Sequence, residues 1–363
     1  MIHHAYFTNR MEEIRVLNIA IVGCGYVADG HIEAWRKISD ARIAAVCDLN
    51  EELAKNTINQ WKIPTYYKSL PDLIAKEKVD VVDICTPPQT HAPLAVQAMQ
   101  AGINVLIEKP MTMSAKDAEK IVDCQKNSNV KAGVIHNWLF EPPIIKASSA
   151  VEQGLIGEML SAEIDILNTK AEPMAANANH WCHRFPGGRF SEMLAHPIYL
   201  LRHFLKGEIT SVNVITSKLG EYPWMKSDEL VADFKAGRRL GTTYISLNAP
   251  RDAIFLGLYG TRGILKLDII NGTINLFPER KTSRFNKVTD SLRQAGQLTK
   301  STAQNVASIA FGRWLSGHDM CIKLFAQSIR NKDKPPVTVE EGLEVVKVLE
   351  NMCQMIETST HSA

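Results

Sequence analysis

Residues 19–28 read IAIVGCGYVA, an apolar run followed by two closely spaced glycines and a small residue. This order predicts a β-strand, a tight turn and a helix that begins near Ala28. Gly23 suits the turn, and Gly25 lets the backbone approach a ligand with no side chain between them. The free N–H groups and the dipole at the start of the helix would bind a phosphate. The segment is therefore typical of a dinucleotide-binding domain.

A carboxylate follows the next predicted strand. Residues 43–47 form an apolar run, and Asp48 comes directly after it. A carboxylate at this position can accept hydrogen bonds from both hydroxyls of an adenosine ribose, and it repels a 2′-phosphate. Leu49 and Asn50 provide no cation that could bind such a phosphate. The pattern favours NAD over NADP, and the residues expected at the cofactor are Gly23, Gly25, Tyr26, Val27 and Asp48.

Apolar runs of strand length alternate with helical segments as far as residue 135. The later strands of this series are predicted at 79–85, 104–107 and 130–135. The alternation is typical of a doubly wound parallel sheet, in which ligands bind beyond the carboxyl ends of the strands. Two further segments follow such ends, Thr86-Pro87 and Glu108-Lys109-Pro110. They join the predicted cofactor site, and His91 is expected to support it.

After residue 141 the pattern changes, because strand-like segments follow one another without helices between them. Such segments are predicted at 209–218, 228–234, 240–248, 252–259, 263–269 and 273–277. Strands in direct succession indicate a mainly antiparallel sheet and hence a second, α+β domain. Residues 279–313 are polar, basic and compatible with a helix, and two closing helices are predicted after them. The expected division is a leader at 1–15, an NAD-binding domain at 16–137 and an α+β domain at 138–363.

The composition is that of an ordinary globular protein, and it narrows the classes of partner. The chain has 363 residues, 45% hydrophobic and 22% charged, which is enough for two domains. A formal charge of +2 argues against nucleic acid or an anionic membrane as partner. No apolar run approaches the ~20 residues needed to span a bilayer. The seven scattered cysteines and the lack of a signal-peptide pattern favour a reducing, cytoplasmic location.

Several motifs along the chain resemble those of the glucose–fructose oxidoreductase, inositol dehydrogenase and MocA-type (Gfo/Idh/MocA) family of NAD(P)-dependent oxidoreductases. They read IAIVGCGYVADGHI, DICTPPQTHAPLAVQAMQAGINVLIEKPMTMS, GLIGEMLSAE, GTRGILKLD and PPVTVEEGLEVV. The string AGINVLIEKP is the most specific of them, since lysine between a buried strand and a proline is the family's signature. The resemblance implies a Rossmann domain followed by an open-faced sheet domain. It also implies that a substrate is held between that sheet and the nicotinamide.

The second family motif is a glycine pair, then an Asp, then a His four residues later, and here it appears in altered form. The segment reads GGRFSEMLAHPIYLL, in which His196 matches and Glu192 occupies the Asp position. Leu194 stands where a small residue is usual, Tyr199 at a later acid position, and Leu139 where an arginine often follows the first domain. The resemblance therefore implies cofactor binding together with a divergent substrate pocket.

Three residues are candidates for catalysis of alcohol oxidation, which needs a hydride acceptor and a base for the hydroxyl proton. Lys109 is expected to polarise the substrate oxygen; the alternative is an incidental surface lysine. Glu192 and His196 lie four residues apart and would share one helix face, so that Glu192 orients His196 as the proton acceptor. The alternative is an ion pair that only stabilises the helix. Pro197 is expected to kink that helix.

Other residues are weaker candidates for contact with the substrate. They are His136, Asn137, Trp138, Trp181 and Arg184. Aromatic side chains such as Trp181 could stack on a sugar ring, but they are more often part of a core. The cluster His180, Cys182 and His183 contains zinc-ligand types, but its crowded spacing is not that of a zinc finger. No metal site is predicted.

Two classes of function fit these observations. The first is an NAD-dependent dehydrogenase or reductase that acts on a secondary alcohol or ketone of a sugar, cyclitol or sugar derivative. The second is a dinucleotide-binding regulator or scaffold that keeps the fold without turnover, which the altered pocket residues suggest. Metal-dependent hydrolysis is a remote third. An exposed sheet face would need covering, so a homodimer or homotetramer is expected.

Overall fold

The computed structural model describes residues 16–280 and 283–359. The predicted leader at 1–15 lies outside the described residues. The first sheet has six parallel strands in the order β3-β2-β1-β4-β5-β6. They are β1 (Leu17–Val22), β2 (Ala41–Cys47), β3 (Thr65–Tyr67), β4 (Val81–Ile84), β5 (Asn104–Ile107) and β6 (Ala132–Val134). The predicted doubly wound sheet is confirmed.

Five helices connect these strands and cover both faces of the sheet. They are α1 (Ala28–Arg36), α2 (Glu51–Trp61), α3 (Leu70–Lys76), α4 (His91–Gln100) and α5 (Ala115–Lys126). Ser69 and Ser114 cap α3 and α5, because the hydroxyl of each accepts a hydrogen bond from a backbone N–H in the first turn. The central strands β1, β4 and β5 are nearly wholly buried, as their apolar sequences require in a parallel sheet.

The second sheet has seven strands in the order β13-β12-β11-β7-β10-β9-β8. They are β7 (Met159–Thr169), β8 (Ile209–Ser217), β9 (Glu229–Ala236), β10 (Arg239–Ala249), β11 (Ala253–Gly260), β12 (Gly263–Asp268) and β13 (Thr273–Pro278). β7 and β10 pair in parallel, whereas the remaining pairs are antiparallel. The predicted α+β domain is therefore confirmed. The inner face packs on apolar helices, and the outer face leaves Ile215, Tyr244 and Phe255 exposed.

The other helices lie between the sheets or after the second one. They are α6 (Pro142–Glu152), the short α7 (Pro173–Ala176) and α8 (Phe190–Met193), α9 (Ala195–Leu205), α10 (Arg284–Ala310), α11 (Gly317–Asn331) and α12 (Val339–Ser359). The long α10 packs against β13, and it lies within the segment 279–313 that the sequence marks as compatible with a helix. No helix in the described part of the chain combines the length and apolarity needed to cross a membrane.

The last two helices return to the first domain. α11 packs on α1, and Phe325 lies in one buried cluster with Ile19 and Ile21 of β1. The backbone N–H of Val134 donates to the carbonyl of Val337 at 3.2 Å. α12 contacts α5 of the first domain as well as β8 and α9 of the second. The C-terminal part of the chain therefore joins both sheets.

The helical segment after the glycine pair is interrupted at Leu194, between α8 and α9. Pro197 supplies the reason, since it has no N–H to bond the carbonyl of Met193 four residues earlier. The expected kink is present. As a result Glu192 lies on α8 and His196 lies on α9.

Candidate active site

A cleft of about 780 Å³ lies at the carboxyl ends of β1, β2, β4 and β5. All the predicted cofactor residues except His91 line it: Gly23, Gly25, Tyr26, Val27, Asp48, Thr86, Pro87, Glu108 and Lys109. We call this side the first wall. The second wall comes from the α+β domain and consists of Met174, His180, Trp181 and Glu192. The cleft therefore brings the strand ends of the first sheet to the segment that contains the altered family motif.

The glycine turn has the geometry that its sequence predicts. Gly23 has φ +99°, and a Cβ there would lie 2.8 Å from the backbone of Cys85, so only glycine fits. A Cβ on Gly25 would meet nothing within 4 Å, which leaves open space beside the start of α1. One carboxylate oxygen of Asp48 accepts from the Cys24 N–H and the other from the Asn50 N–H, both at 2.7 Å. These bonds fix Asp48 at the edge of the cleft.

His91 lies behind the first wall and is fully buried. One ring nitrogen is 2.6 Å from the carbonyl oxygen of Thr86, and the other is 3.2 Å from those of Pro110 and Met111. The ring therefore ties together the two loops that follow β4 and β5. His91 supports these loops and does not face the cleft, which agrees with a supporting role and not with cofactor contact.

Lys109 follows β5 and precedes a cis peptide bond to Pro110. Its backbone N–H donates to the Glu108 carboxylate at 2.9 Å, and its ammonium group is paired with the Glu192 carboxylate. Only 11% of the Lys109 side chain is exposed. Burial lowers the pKa of Lys109 to about 8, although the charge of Glu108 opposes the shift. Lys109 is therefore a buried amine that can lose its proton near neutral pH.

The Lys109–Glu192 pair is part of a longer chain of alternating charges. The other carboxylate oxygen of Glu192 accepts from Arg189, and Arg189 donates through Nε to Glu172 at 3.1 Å. Arg189 is only 6% exposed. Glu172 in turn accepts hydrogen bonds from the first N–H groups of α7. Arg189 was not among the sequence-predicted residues; a cation three residues before Glu192, right after the glycine pair, was the available signal.

His196 is buried near these ion pairs, but it is not bonded to Glu192. Its Nδ1 lies 2.6 Å from the hydroxyl of Tyr199, and the ring stacks on Trp138 with 3.8 Å between centroids. His136 stacks on the other side of Tyr199. The predicted Glu192–His196 contact is therefore wrong. Lys109 and Arg189 bind the two oxygens of Glu192, and Tyr199 is the partner of His196.

Comparisons with known proteins match both halves of the chain. A family model described as "Oxidoreductase family, NAD-binding Rossmann fold" matches residues 17–136, and one described as "GFO/IDH/MocA C-terminal domain" matches 144–266. Together they span more than half of the chain. The chain belongs to the Gfo/Idh/MocA oxidoreductase family. The resemblance drawn from the motifs is thereby confirmed, and the chain is an enzyme of the dehydrogenase class.

Individual members of the Gfo/Idh/MocA family are similar over most of the chain. Oxidoreductase P35 of Formosa agariphila is 29% identical over 72% of this chain and 82% of its own. Myo-inositol 2-dehydrogenase of Thermotoga maritima is 23% identical over 74% and 80%. Among solved structures, the WlbA dehydrogenase of Bordetella pertussis, in complex with NADH and UDP-GlcNAcA, superimposes with a TM-score of 0.77 at 20% identity, covering 96% of each chain. The last likeness shows the shared fold.

The first wall fits the NAD(H) that this family binds. The space beside Gly25 is free for a pyrophosphate, and Tyr26 and Val27, just before α1, line the same cleft. Each oxygen of Asp48 uses one lone pair within the protein and keeps another for a ribose hydroxyl. These residues would hold the dinucleotide with its nicotinamide end toward Lys109.

A second buried network lies beneath Glu108, and the sequence analysis did not predict it. The two ring nitrogens of His31 lie 2.8 Å from Asp83 and 2.8 Å from Glu108. Trp35 donates to Asp83 at 2.7 Å, and His318 lies 3.5 Å from Glu108. Burial opposes a charged ring, but Asp83 raises the pKa of His31 well above its ordinary value. A charged imidazole between two carboxylates thus fixes Glu108, the neighbour of Lys109.

The weaker substrate candidates separate into two groups. Trp181 lines the second wall. His136 and Trp138 pack around Tyr199 and His196 instead, and Asn137 is buried 3.4 Å from a ring nitrogen of His318. Arg184 is exposed and lines a separate cavity of about 250 Å³. Only Trp181 among the five predicted residues therefore lines the cleft.

The His180, Cys182 and His183 cluster does not converge on one point. Nδ1 of His180 lies 3.1 Å from Sγ of Cys182, whereas His183 points to the carbonyl of Met174 at 2.9 Å. Within the described residues, the side chains that could surround a metal ion group around His31. Both ring nitrogens of His31 already bond to carboxylates there. These contacts describe a hydrogen-bonded ion cluster.

Proposed function

We propose that the chain is an NAD-dependent dehydrogenase that transfers a hydride between nicotinamide and a secondary alcohol or ketone of a sugar, cyclitol or sugar derivative. The observation that carries the proposal is the buried amine of Lys109, held in the cleft by Glu192 where the two walls meet. The substrate class comes from relatives named as myo-inositol 2-dehydrogenase and as a dehydrogenase bound to UDP-GlcNAcA. The cofactor supplies the hydride acceptor at nicotinamide C4.

The remaining chemistry is a proton transfer, and we assign it to Lys109. The hydroxyl proton must leave as the hydride leaves. Two lysines line the cleft, Lys68 and Lys109; Lys68 is paired with Glu51, whereas Lys109 meets the second wall at Glu192. A pKa of about 8 places its neutral form close to the working range. His196 does not line the cleft, and burial holds its pKa well below the ordinary value. We therefore assign proton acceptance to Lys109 and a supporting role to His196, which reverses the roles expected from the motifs.

Glu192 has two tasks in this scheme. Its carboxylate holds the Lys109 amine in position, and it stabilises the charged form that Lys109 reaches after it accepts the proton. Arg189 holds the other oxygen, so the carboxylate stays directed toward the cleft. Replacement of the usual Asp by Glu is compatible with this arrangement, because the longer side chain reaches Lys109.

The preference for NAD over NADP is part of the proposal. It rests on Asp48, whose carboxylate lines the cleft at the end of β2, and on the absence of a cation at Leu49 or Asn50. A 2′-phosphate would lie next to this negative charge, and Lys68, the lysine that lines the same end of the cleft, is already paired with Glu51.

The test is a panel of inositols, sugars, sugar acids and nucleotide sugars, assayed for NADH formation by the purified chain. We expect at least one compound to be oxidised, with Lys109→Met as the inactive control. Oxidation should accelerate as the pH rises through about 8, because deprotonated Lys109 is the base. If NADH binds and no panel compound is oxidised, the second candidate, a dinucleotide-binding regulator, is favoured. The ion pair between Lys109 and Glu192 would then serve only to join the two walls.

We also propose that the chain forms a homodimer or homotetramer in the cytoplasm. The outer face of the second sheet exposes apolar side chains on neighbouring strands, among them Ile215, Val231, Tyr244 and Phe255. All seven cysteines are unpaired, which suits a reducing compartment. Sedimentation at micromolar concentration should show an oligomer, and Phe255→Lys should weaken it. A monomeric wild type contradicts this part of the proposal.

A further inference from the structure

We propose that His180 recognises the substrate as a neutral hydrogen-bond donor, with its proton on Nε2. The inference rests on the proposed function and adds to it the chemistry of one contact. The acceptor would be an oxygen of the bound compound: a hydroxyl, a carbonyl or a carboxylate. A metal cluster with Cys182 and His183 does not account for His180, because the His183 ring points away to the carbonyl of Met174.

The position of His180 allows such a contact. It lines the cleft on the second wall together with Trp181 and Glu192, opposite the strand ends that would hold the cofactor. The side chain is half-buried, so one edge is shielded by protein and another faces the cleft. Glu192 binds Lys109, which places His180 on the same wall as the acid that contacts the proposed base.

The contacts of Nδ1 determine where the ring proton lies. The backbone N–H of Cys182 donates to Nδ1 at 3.4 Å, and Sγ of Cys182 lies 3.1 Å from the same atom. A backbone N–H can only donate, so Nδ1 must accept and carries no proton. The thiol of Cys182, which is fully buried, can then donate as well. A neutral imidazole has one N–H, and here it must be Nε2–H.

The charges around His180 keep the ring neutral. Burial lowers the pKa of His180, and the positive charge of Arg189 lowers it further, although the carboxylate of Glu172 opposes the shift. Across the described ranges, no hydrogen bond joins Nε2 of His180 to another residue. A donor that lines a cleft without a protein partner is available to a ligand. Because it cannot accept, it selects for an oxygen acceptor at that point of the substrate.

The segment that contains His180 is held on both sides. Arg189 binds Glu172, His183 binds the carbonyl of Met174, and Trp181 packs edge-on against Phe185 with 5.7 Å between ring centroids. These contacts fix the backbone on either side of the ring. The direction of the Nε2–H bond is therefore set before a ligand enters, which is what selective recognition requires.

Nitrogen-15 NMR of the histidine-labelled, NADH-bound protein tests the proton position without any need for turnover. The His180 ring is assigned as the signal that His180→Gln removes. We expect a neutral ring at pH 7 with its proton on Nε2. Cys182→Ser, which keeps a side-chain donor, should preserve this tautomer more fully than Cys182→Val. A proton on Nδ1, or a charged ring at pH 7, overturns the proposal.

Steady-state kinetics with the panel compound that the wild type oxidises fastest tests the contact itself. His180→Phe should raise KM about tenfold, the effect of one lost hydrogen bond, while the Kd of NADH stays unchanged. His180→Gln should recover part of the loss, because an amide also donates. An unchanged KM in His180→Phe overturns the contact. If the wild type oxidises no compound, the proposed function has failed, and the tautomer measurement alone decides on His180.

Discussion

The two walls of the cleft are built by different means. The first wall presents backbone: a glycine turn, strand ends and the start of α1, with Asp48 fixed by two main-chain N–H groups. The second wall presents side chains that are fixed by one another, through the ion pairs of Glu192, Arg189 and Glu172. Backbone geometry is suited to the constant parts of a dinucleotide. Paired side chains can be exchanged one at a time, so the second wall can change its ligand while the first stays the same.

The largest expected effect separates catalysis, measured as turnover, from cofactor binding, measured as NADH affinity. Lys109→Met should lower turnover about 10³-fold, because it removes the base, and should leave NADH affinity close to that of the wild type. Gly23→Ala should instead abolish NADH binding, and turnover is lost with it. Its φ of +99° and the 2.8 Å contact with Cys85 exclude a side chain, so cofactor binding is lost. Turnover and NADH fluorescence titrations measure both. Loss of NADH binding in Lys109→Met would show that catalysis and cofactor binding are not separable in this way.

The next effect tests the ion pair that joins the walls. Glu192→Gln should lower turnover about 10- to 100-fold with little change in NADH affinity. The carboxylate stabilises protonated Lys109, so its removal should lower the pKa of Lys109 relative to the wild type. The rise of oxidation rate with pH should therefore begin at a lower pH than in the wild type. A wild-type pH profile in Glu192→Gln would mean that the acid does not act on Lys109.

A smaller effect is expected at the outer edge of the first wall. Asp48→Ser combined with Leu49→Arg should shift the ratio of kcat/KM values toward NADP about tenfold or more, because repulsion is removed and a phosphate partner is added. The single change Leu49→Arg is the control and should shift the ratio less. Equal use of NAD and NADP by the wild type would show that Asp48 does not reach the ribose.

The smallest effect concerns the far end of the charge chain. Glu172→Gln removes one partner of Arg189 and leaves the Arg189–Glu192 pair in place. We expect KM for the substrate to rise a few-fold with kcat unchanged, because the segment with His180 and Trp181 loses one attachment. Glu163→Gln is the matched control, since Glu163 forms an ion pair with Lys266 on the outer face. An equal response to the two changes would show a general loss of stability.

The two walls of the cleft also differ in how well the sequence predicts them. Gly23, Asp48, Ser69 and Ser114 act on atoms close to them in the chain or on a strand of the same motif, so a local pattern identifies them. The contacts of the second wall are long-range, and Lys109 meets Glu192 across 83 residues.

The residues that sequence reasoning missed or placed wrongly have partners of this long-range kind. His31 binds Asp83 and Glu108, 52 and 77 residues away. The spacing of Glu192 and His196 favoured a contact on one helix, but Glu192 binds Lys109 and Arg189 while His196 binds Tyr199. The Trp138 ring could stack on a ligand, but it stacks on the His196 ring instead. A residue type shows what a side chain can do, whereas its partner depends on how distant segments pack.

The return of α11 to the first domain has a consequence for how the chain is made. Residues 17–134 leave the ribosome before α11 does. The buried cluster around β1 and α1, however, also contains Cys321, Ile322 and Phe325 of α11. Until that segment has been synthesised, apolar surface of β1 and α1 stays open to water, and a nascent chain in this state is prone to aggregate. The dinucleotide-binding half should therefore complete its core only after α11 has been synthesised. Until then its exposed apolar surface is a binding site for chaperones.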